Sequence, residues 1–326
     1  MDASFLLKSF TLLKSRFSIL CIGIIFISLP VTGMAAEAYI IVDNGSGKIL
    51  ASQNHNQRLQ IASLTKVATA MVALDWLKLT GQDADQLIVV GPNATLQGTF
   101  NPIGLQPGDQ LSFRDALYAA LMQSDNISAY TLAEHIGNVL GRSQPALLQK
   151  VGPVGVFVAQ MNALARTLKM EQTLFLNPTG LDAEYRKPPY STAADMARLA
   201  RYAMADSGFR FHVFQPERKI TIHRDGLPFG YLLRNTNELA GKNEIDGVKT
   251  GRTARAGDCL ILSAEKPPKT VQQGETTYVT PRRITVVLLR SADRFAEGAA
   301  MISRGWQLYE AWDQAGRPPG SAKESL

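Results

Sequence analysis

Ser63 and Lys66 stand three residues apart in Ile61-Ala62-Ser63-Leu64-Thr65-Lys66-Val67. A serine hydroxyl is a poor nucleophile until a base takes its proton, and an amine one helical turn away can do so. The run that follows, with Val67, Ala70, Met71, Leu74 and Leu77, has helical spacing. If Ser63 opens that helix, its free N–H groups and positive dipole end also favour negative charge on a substrate oxygen. Two further clusters carry comparable chemistry: Ser124-Asp125-Asn126 and Lys249-Thr250-Gly251. A second serine can hand a proton to a leaving nitrogen, and an amide can hold a lysine. A second lysine raises the local potential, and a threonine hydroxyl can bind a carboxylate. Each residue also has a plainer use. Ser63 and Ser124 could be helix caps, Asn126 a turn residue, and Lys66 a solvated charge. Lys249 could guard a sheet edge against aggregation. The weight lies in the three clusters occurring together and in order.

The elements that must position them are legible from pattern. Residues 38–43 read as a strand, 44–47 as a turn and 48–51 as its return, making a hairpin. The Ser63 helix ends at Thr80, with Gly81 as its stop. Residues 86–90 are a short extended piece and 91–108 irregular chain. Ser112 caps a helix that runs apolar to Met122, with Asp115 three residues on. A buried helix over 126–136 ends near Gly137. Residues 141–158, punctuated by Pro145, Gly152, Pro153 and Gly155, read as a loop or insertion, followed by an amphipathic helix over 158–168. Residues 173–176 are extended and Asn177-Pro178-Thr179-Gly180 a turn. Thr192 caps a helix to Met204, and 219–223 alternate as a strand. Residues 247–250 form an edge strand, 259–264 and 283–289 the next two, and 266–281 a long hairpin tip. A helix over 295–306 closes the domain. Strands at both ends with helices between them imply an α+β fold: an antiparallel sheet built from the two termini, with a mostly helical region inserted.

The chain has 326 residues, 45% of them hydrophobic, enough for one substantial core or two small ones. Lys8, Lys14 and Arg16 precede an apolar run over 17–31, and Gly33, Ala35 and Ala36 supply small residues at its end. Residues 1–36 therefore read as an export signal, with an uncleaved anchor as the other possibility. Residues 37–312 form one domain, its sheet region over about 38–62 and 240–310 and its helical region over about 63–235. Residues 313–326, rich in Pro, Gly, Ser and charge, form a disordered tail. Only Cys259 remains after cleavage, so no internal disulfide forms. The net charge of +6 falls to +4 without residues 1–36. The positive charges are scattered, which argues against nucleic acid and allows a weak association with an anionic membrane or wall surface. No metal or cofactor site is read from the sequence.

SxxK, SxN and KTG in this order are the signature of the penicillin-recognising serine enzymes. Ala62-Ser63-Leu64-Thr65-Lys66, Phe175-Leu176-Asn177-Pro178-Thr179-Gly180-Leu181 and Asp246-Gly247-Val248-Lys249-Thr250-Gly251 resemble the low-molecular-mass penicillin-binding proteins, the D-alanyl-D-alanine carboxypeptidases and their endopeptidase relatives. The resemblance runs from roughly Ala38 to Tyr309. It implies a β-lactamase/transpeptidase-like fold with the site between its two regions. Peptidoglycan peptides are the implied substrates, β-lactams the covalent inhibitors, and the periplasm or cell envelope the location. Ser63 is the implied nucleophile, Lys66 its base, Ser124 the proton carrier and Asn126 the holder of Lys66 and substrate. Lys249, Thr250 and Gly251 line the substrate strand. The backbone N–H groups of Ser63 and Arg252 form the oxyanion hole, and Arg294 binds the terminal carboxylate.

Two departures bear on specificity. Arg252 stands where relatives often carry His. Only 20 residues follow Trp306, too few for the second all-strand domain and tail helix frequent in the carboxypeptidases. That shifts weight toward shorter relatives, some of them endopeptidases. A β-lactamase is a rival, but the glutamate that would activate water has no counterpart in the expected place. Only Glu134 has an Asn four residues on, and it follows Ser124 too closely. A non-catalytic wall-binding protein is the remaining alternative, and the intact set of five polar residues speaks against it.

Overall fold

Strand β1 (Ala38–Asp43) is buried at every position, so both of its faces are covered. The structure is a computed structural model and describes residues 36–92, 101–182, 185–318 and 324–326. Apart from Ala36, the export segment expected over 1–36 lies outside the described residues. β1 pairs with β2 (Ile49–Gln53) on one side and β9 (Thr276–Ser291) on the other. Beyond β9 come β8 (Gly257–Gln273) and β7 (Ile245–Thr253), giving an antiparallel sheet in the order β2-β1-β9-β8-β7. The chain ends thus meet in one sheet, and β7, which carries Lys249-Thr250-Gly251, is its edge.

Side chains alternate across this sheet, as the two-residue strand period requires. Ile41, Leu260, Leu262, Val286 and Leu288 face helix α7 (Arg294–Gln314), where they meet Met301, Trp306 and Tyr309. Ile40, Val42, Ile261, Val287 and Leu289 face the other way, into the larger core formed with the remaining helices. A 3₁₀ turn over Ala62–Thr65 leads directly into α1 (Lys66–Thr80), which is buried around its whole circumference for its first nine residues. An apolar helix without a polar face belongs in the middle of a core. Around it lie α2 (Phe113–Met122), α3 (Asn126–Gly141), α4 (Pro145–Thr167), α5 (Ala193–Ala205) and α6 (Ser207–Phe214). A second antiparallel sheet, β3-β4-β5-β6, combines Leu87–Val89, Gln110–Ser112, Glu217–Arg224 and Leu227–Arg234.

The expected caps are in place. Ser112 accepts from Asp115 N at 2.9 Å and Thr192 from Asp195 N at 3.0 Å, while Gly81 ends α1 in the left-handed region. The loop expected over 141–158 is wrong: α4 occupies most of it. Pro145 stands in the first turn, where a missing N–H costs nothing, and Gly152 takes the one non-helical conformation at a kink before Pro153. Nor does Gly137 stop α3, which continues to Gly141. A Cβ at Gly137 would lie 1.9 Å from Pro153 O, so glycine here lets α3 and α4 touch backbone to backbone. Strand β6 and helix α6 were not expected. The expected tip over 266–281 is the continuation of β8 and β9 as a ribbon, turning at Gly274. At the other end of the chain, Leu326 N donates to Gly47 O at 3.1 Å and Lys48 pairs with Glu324, so these described tail residues lie on the β1–β2 hairpin rather than free. No helix among the described residues is long and apolar enough to cross a membrane.

Candidate active site

Ser63 sits in the 3₁₀ turn and Lys66 is the first residue of α1. Residues three apart eclipse one another in a 3₁₀ turn, more directly than in an α-helix. Ser63 Oγ and Lys66 Nζ are accordingly 2.9 Å apart. The amine also donates to Asn126 Oδ1 at 2.7 Å and to Thr179 O at 3.1 Å. A neutral amine has two N–H bonds and one lone pair. Two of its three neighbours, the Asn126 and Thr179 oxygens, can only accept, which leaves the lone pair facing the Ser63 hydroxyl. Lys66 is fully buried, and burial lowers its pKa to about 7, with the Asp125 charge opposing.

Asn126 opens α3, and Asp125 caps it by accepting from Ser128 N at 2.6 Å. Ser124, immediately before, is left-handed at φ 61°, a conformation that costs a non-glycine residue about 1 kcal/mol. It is half-buried, and among the described residues its hydroxyl makes no hydrogen bond. Thr236 ties this turn to β7. Its N–H and hydroxyl both donate to Met122 O, at 2.9 and 3.1 Å, and its Oγ1 lies 2.7 Å from Thr250 Oγ1.

Lys249 is buried beside them. Its Nζ donates to Thr250 O at 3.0 Å, and burial, then the Lys66 and Arg294 charges, hold its pKa well below the ordinary lysine value. The spacing of the clusters leads one to expect a standing positive charge on Lys249, but an amine this deep without a carboxylate partner favours its neutral form. Gly251 is set by close packing. A Cβ there would lie 3.0 Å from both Ile61 O and Ser63 N. The space is taken by the Ser63 turn, and the glycine lets β7 run against the Ser63 amide.

Arg294 Nη1 donates to Gly251 O at 3.1 Å and contacts Asp258 at 3.4 Å, leaving Nε and Nη2 without partners among the described residues. The Arg252 side chain is 76% exposed and only loosely paired with Asp258, at 3.5 Å. The structure thus gathers Ser63, Lys66 and Asn126 into direct contact. Ser124 lies on the adjoining turn, Lys249, Thr250 and Gly251 on the facing strand, and Arg294 behind that strand.

Three participants were missed. Thr179 offers its carbonyl to Lys66, and Asn177 builds the turn that presents it, its Oδ1 accepting from Thr179 N at 3.0 Å and Gly180 N at 2.7 Å. Thr236 is the third. Asn-Pro-Thr-Gly announces a turn, but nothing local says that it meets a lysine 113 positions away.

Comparison with known proteins shows the family and the fold. The sequence model of peptidase family S11, described as D-alanyl-D-alanine carboxypeptidase, matches residues 28–273. The carboxypeptidase DacC of Escherichia coli K12 is 31% identical over 286 residues, which is 84% of this chain and 62% of DacC. A D-alanyl-D-alanine endopeptidase of Pseudomonas aeruginosa is 32% identical over 231 residues, covering 70% of this chain and 67% of that protein. Among solved structures, the Streptomyces K15 DD-transpeptidase superposes with a TM-score of 0.70 at 24% identity, over 84% of this chain and 98% of that one, and shares the fold. Penicillin-binding protein D2 of Listeria monocytogenes, solved with cefotaxime bound, gives 0.64 at 25% identity over 83% and 97%. The matched span contains all three clusters that the fold brings together, and the chain belongs to the S11 family of D-alanyl-D-alanine carboxypeptidases.

Proposed function

We propose that the protein is a serine D,D-peptidase that removes the terminal D-alanine from peptidoglycan stem peptides through an acyl-enzyme. The observation that carries this reading is the Lys66 amine, buried, 2.9 Å from the Ser63 hydroxyl and donating to Asn126 and Thr179. Lys66 takes the Ser63 proton as Oγ attacks the carbonyl carbon of the penultimate D-alanine. Negative charge collects on the carbonyl oxygen beside the Ser63 amide, which has no intrahelical partner in the first turn. The C–N bond breaks, and the leaving nitrogen receives a proton from Lys66 through the Ser124 hydroxyl. Water then hydrolyses the Ser63 ester, with Lys66 again as base.

The substrate's terminal carboxylate fits beside Thr250 and the Nε and Nη2 groups of Arg294, whose guanidinium lies over the Phe295 ring. Arriving there, it supplies the anion that Lys249 lacks, so Lys249 gains its charge on binding. Export by residues 1–36 places this chemistry in the cell envelope. The test is intact-protein mass spectrometry after benzylpenicillin, with D-alanine release from a pentapeptide. A single adduct, lost in Ser63→Ala together with D-alanine release, is expected; an adduct that survives the substitution overturns the reading.

An endopeptidase reading is favoured by one observation: the Pseudomonas endopeptidase is matched over more of its length than DacC is. The bond chemistry is unchanged, and the leaving amine belongs to a cross-linked side chain. Cleavage of a cross-linked dimer faster than D-alanine release would establish it.

A further inference from the structure

Glu297 lies in the first turn of α7, where the positive end of the helix favours a carboxylate. Its oxygens face backbone amides. Oε1 accepts from Ala292 N at 3.3 Å and Asp293 N at 3.4 Å, while Oε2 accepts from Ala36 N at 2.9 Å. The last contact is the shortest and spans 261 positions. Among the described residues no cation pairs with this carboxylate, although Glu297 is only 8% exposed. A carboxylate so withdrawn from water ordinarily has one.

Ala36 is also the residue after a run suited to removal. Gly33 and Ala35 place small residues third and first before the Ala35–Ala36 bond, behind an apolar run with Lys8, Lys14 and Arg16 ahead of it. That is the arrangement of an export leader and its cleavage site. We propose that a signal peptidase hydrolyses the Ala35–Ala36 bond and that Glu297 is a receptor for the α-ammonium group so released. Water adds across the bond: its oxygen joins the Ala35 carbonyl carbon as the C–N bond breaks. The Ala36 nitrogen keeps the electron pair and takes up protons to become ammonium.

That nitrogen is the atom already resting on Glu297 Oε2, so the ion pair forms where the amide contact stands. Neighbouring contacts hold it there. Glu37 N donates to Arg290 O at 3.1 Å, and the Glu37 carboxylate pairs with Arg290 at 2.7 Å. Gln53 Nε2 reaches Ala36 O at 3.4 Å. The other charges nearby are engaged elsewhere: Asp293 accepts from Phe295 N and Ala296 N, and Arg294 is on Gly251 and Asp258. The cleavage point lies one residue before the boundary that the sequence suggests. Processing would thereby fasten the start of β1 to the start of α7, the helix whose first residue is Arg294.

The test uses the full chain exported from a bacterial host. N-terminal sequencing and intact mass should show a chain beginning at Ala36; a start at any other residue overturns the proposal. On that protein the α-amine is titrated by competitive acetylation across pH, read by peptide mass spectrometry. Its midpoint should lie above the ordinary α-amino value of about 7.7–8.0. Glu297→Gln should bring the midpoint down by about one unit, the effect of losing one adjacent opposite charge. A midpoint that Glu297→Gln leaves unmoved overturns the pairing even if thermal stability falls, because a Glu297 that merely caps α7 would change stability alone. If Glu297→Gln does not accumulate, the wild-type midpoint decides: an ordinary value refutes the ion pair. Benzylpenicillin labelling of the same samples reports the serine chemistry separately, so the two readings fail independently.

Discussion

A lysine sealed from water can find a carboxylate or give up its proton, and Lys66 is arranged for the second. Its neighbours offer two acceptors and one hydroxyl, the complement of a neutral amine. The sign of the pH dependence follows. With a pKa of about 7, Lys66 is protonated below that pH and free above it to serve as the proposed base. The second-order rate of benzylpenicillin acylation should rise about tenfold per pH unit below 7 and level off above, as measured by stopped-flow or timed mass spectrometry. Lys66→Arg keeps the positive charge at every pH and should abolish acylation. Glu134 bears on the next step. It lies eight residues along α3 from Asn126, about 12 Å up the axis, and is not placed to activate a water at Ser63. The penicilloyl adduct should therefore persist for many minutes after free drug is removed; rapid turnover would contradict this.

At the scale of elements, glycines set distances that the chemistry needs. Gly180 adopts φ 86°, and a Cβ on it would lie 1.8 Å from Ala62 O. Gly180→Ala should force the Asn177 turn away from the Ser63 turn, moving Thr179 O off Lys66. We expect at least a tenfold loss of acylation rate, about 1.4 kcal/mol, from a residue that touches no substrate. Gly137 does the same job for packing. Gly137→Ala should lower stability by about 1–3 kcal/mol in urea unfolding, with the acylation rate per folded molecule unchanged, because α3 would separate from α4 far from Asn126. This position also shows why one stretch misled the sequence reading. Gly and Pro at 137, 145, 152 and 153 are local breakers by composition. Yet Pro145 stands in a first turn, Gly152 at a kink, and Gly137 at a helix crossing. Which use a glycine serves depends on what lies opposite it, and that is not local information.

At the scale of the molecule, the sheet joins both chain ends and has a separate apolar layer on each face. Trp306, 6% exposed, anchors α7 to the face away from the larger core. Trp306→Ala should cost about 3–5 kcal/mol in denaturant unfolding. Penicillin labelling of the remaining folded protein should persist, since Trp306 belongs to one apolar layer and the residues flanking Ser63 to the other.

The sequence by itself determined whatever is encoded by short-range spacing. The 3.6-residue and two-residue periods placed α1, α2, α5 and the strands of the large sheet. Ser112 and Thr192 announced their caps. The three-residue spacing of Ser63 and Lys66 put the proposed nucleophile and base side by side, because one helical turn imposes that. Only the tertiary structure decided what closes around that pair. Asn126 reaches Lys66 across 60 positions and Thr179 across 113. Gly251 is pressed on the Ser63 amide by a strand from the other end of the chain. The depressed lysine pKa values and the partner of Ala36 belong to the same class. Burial and contact between distant segments are products of packing, and no local pattern carries them.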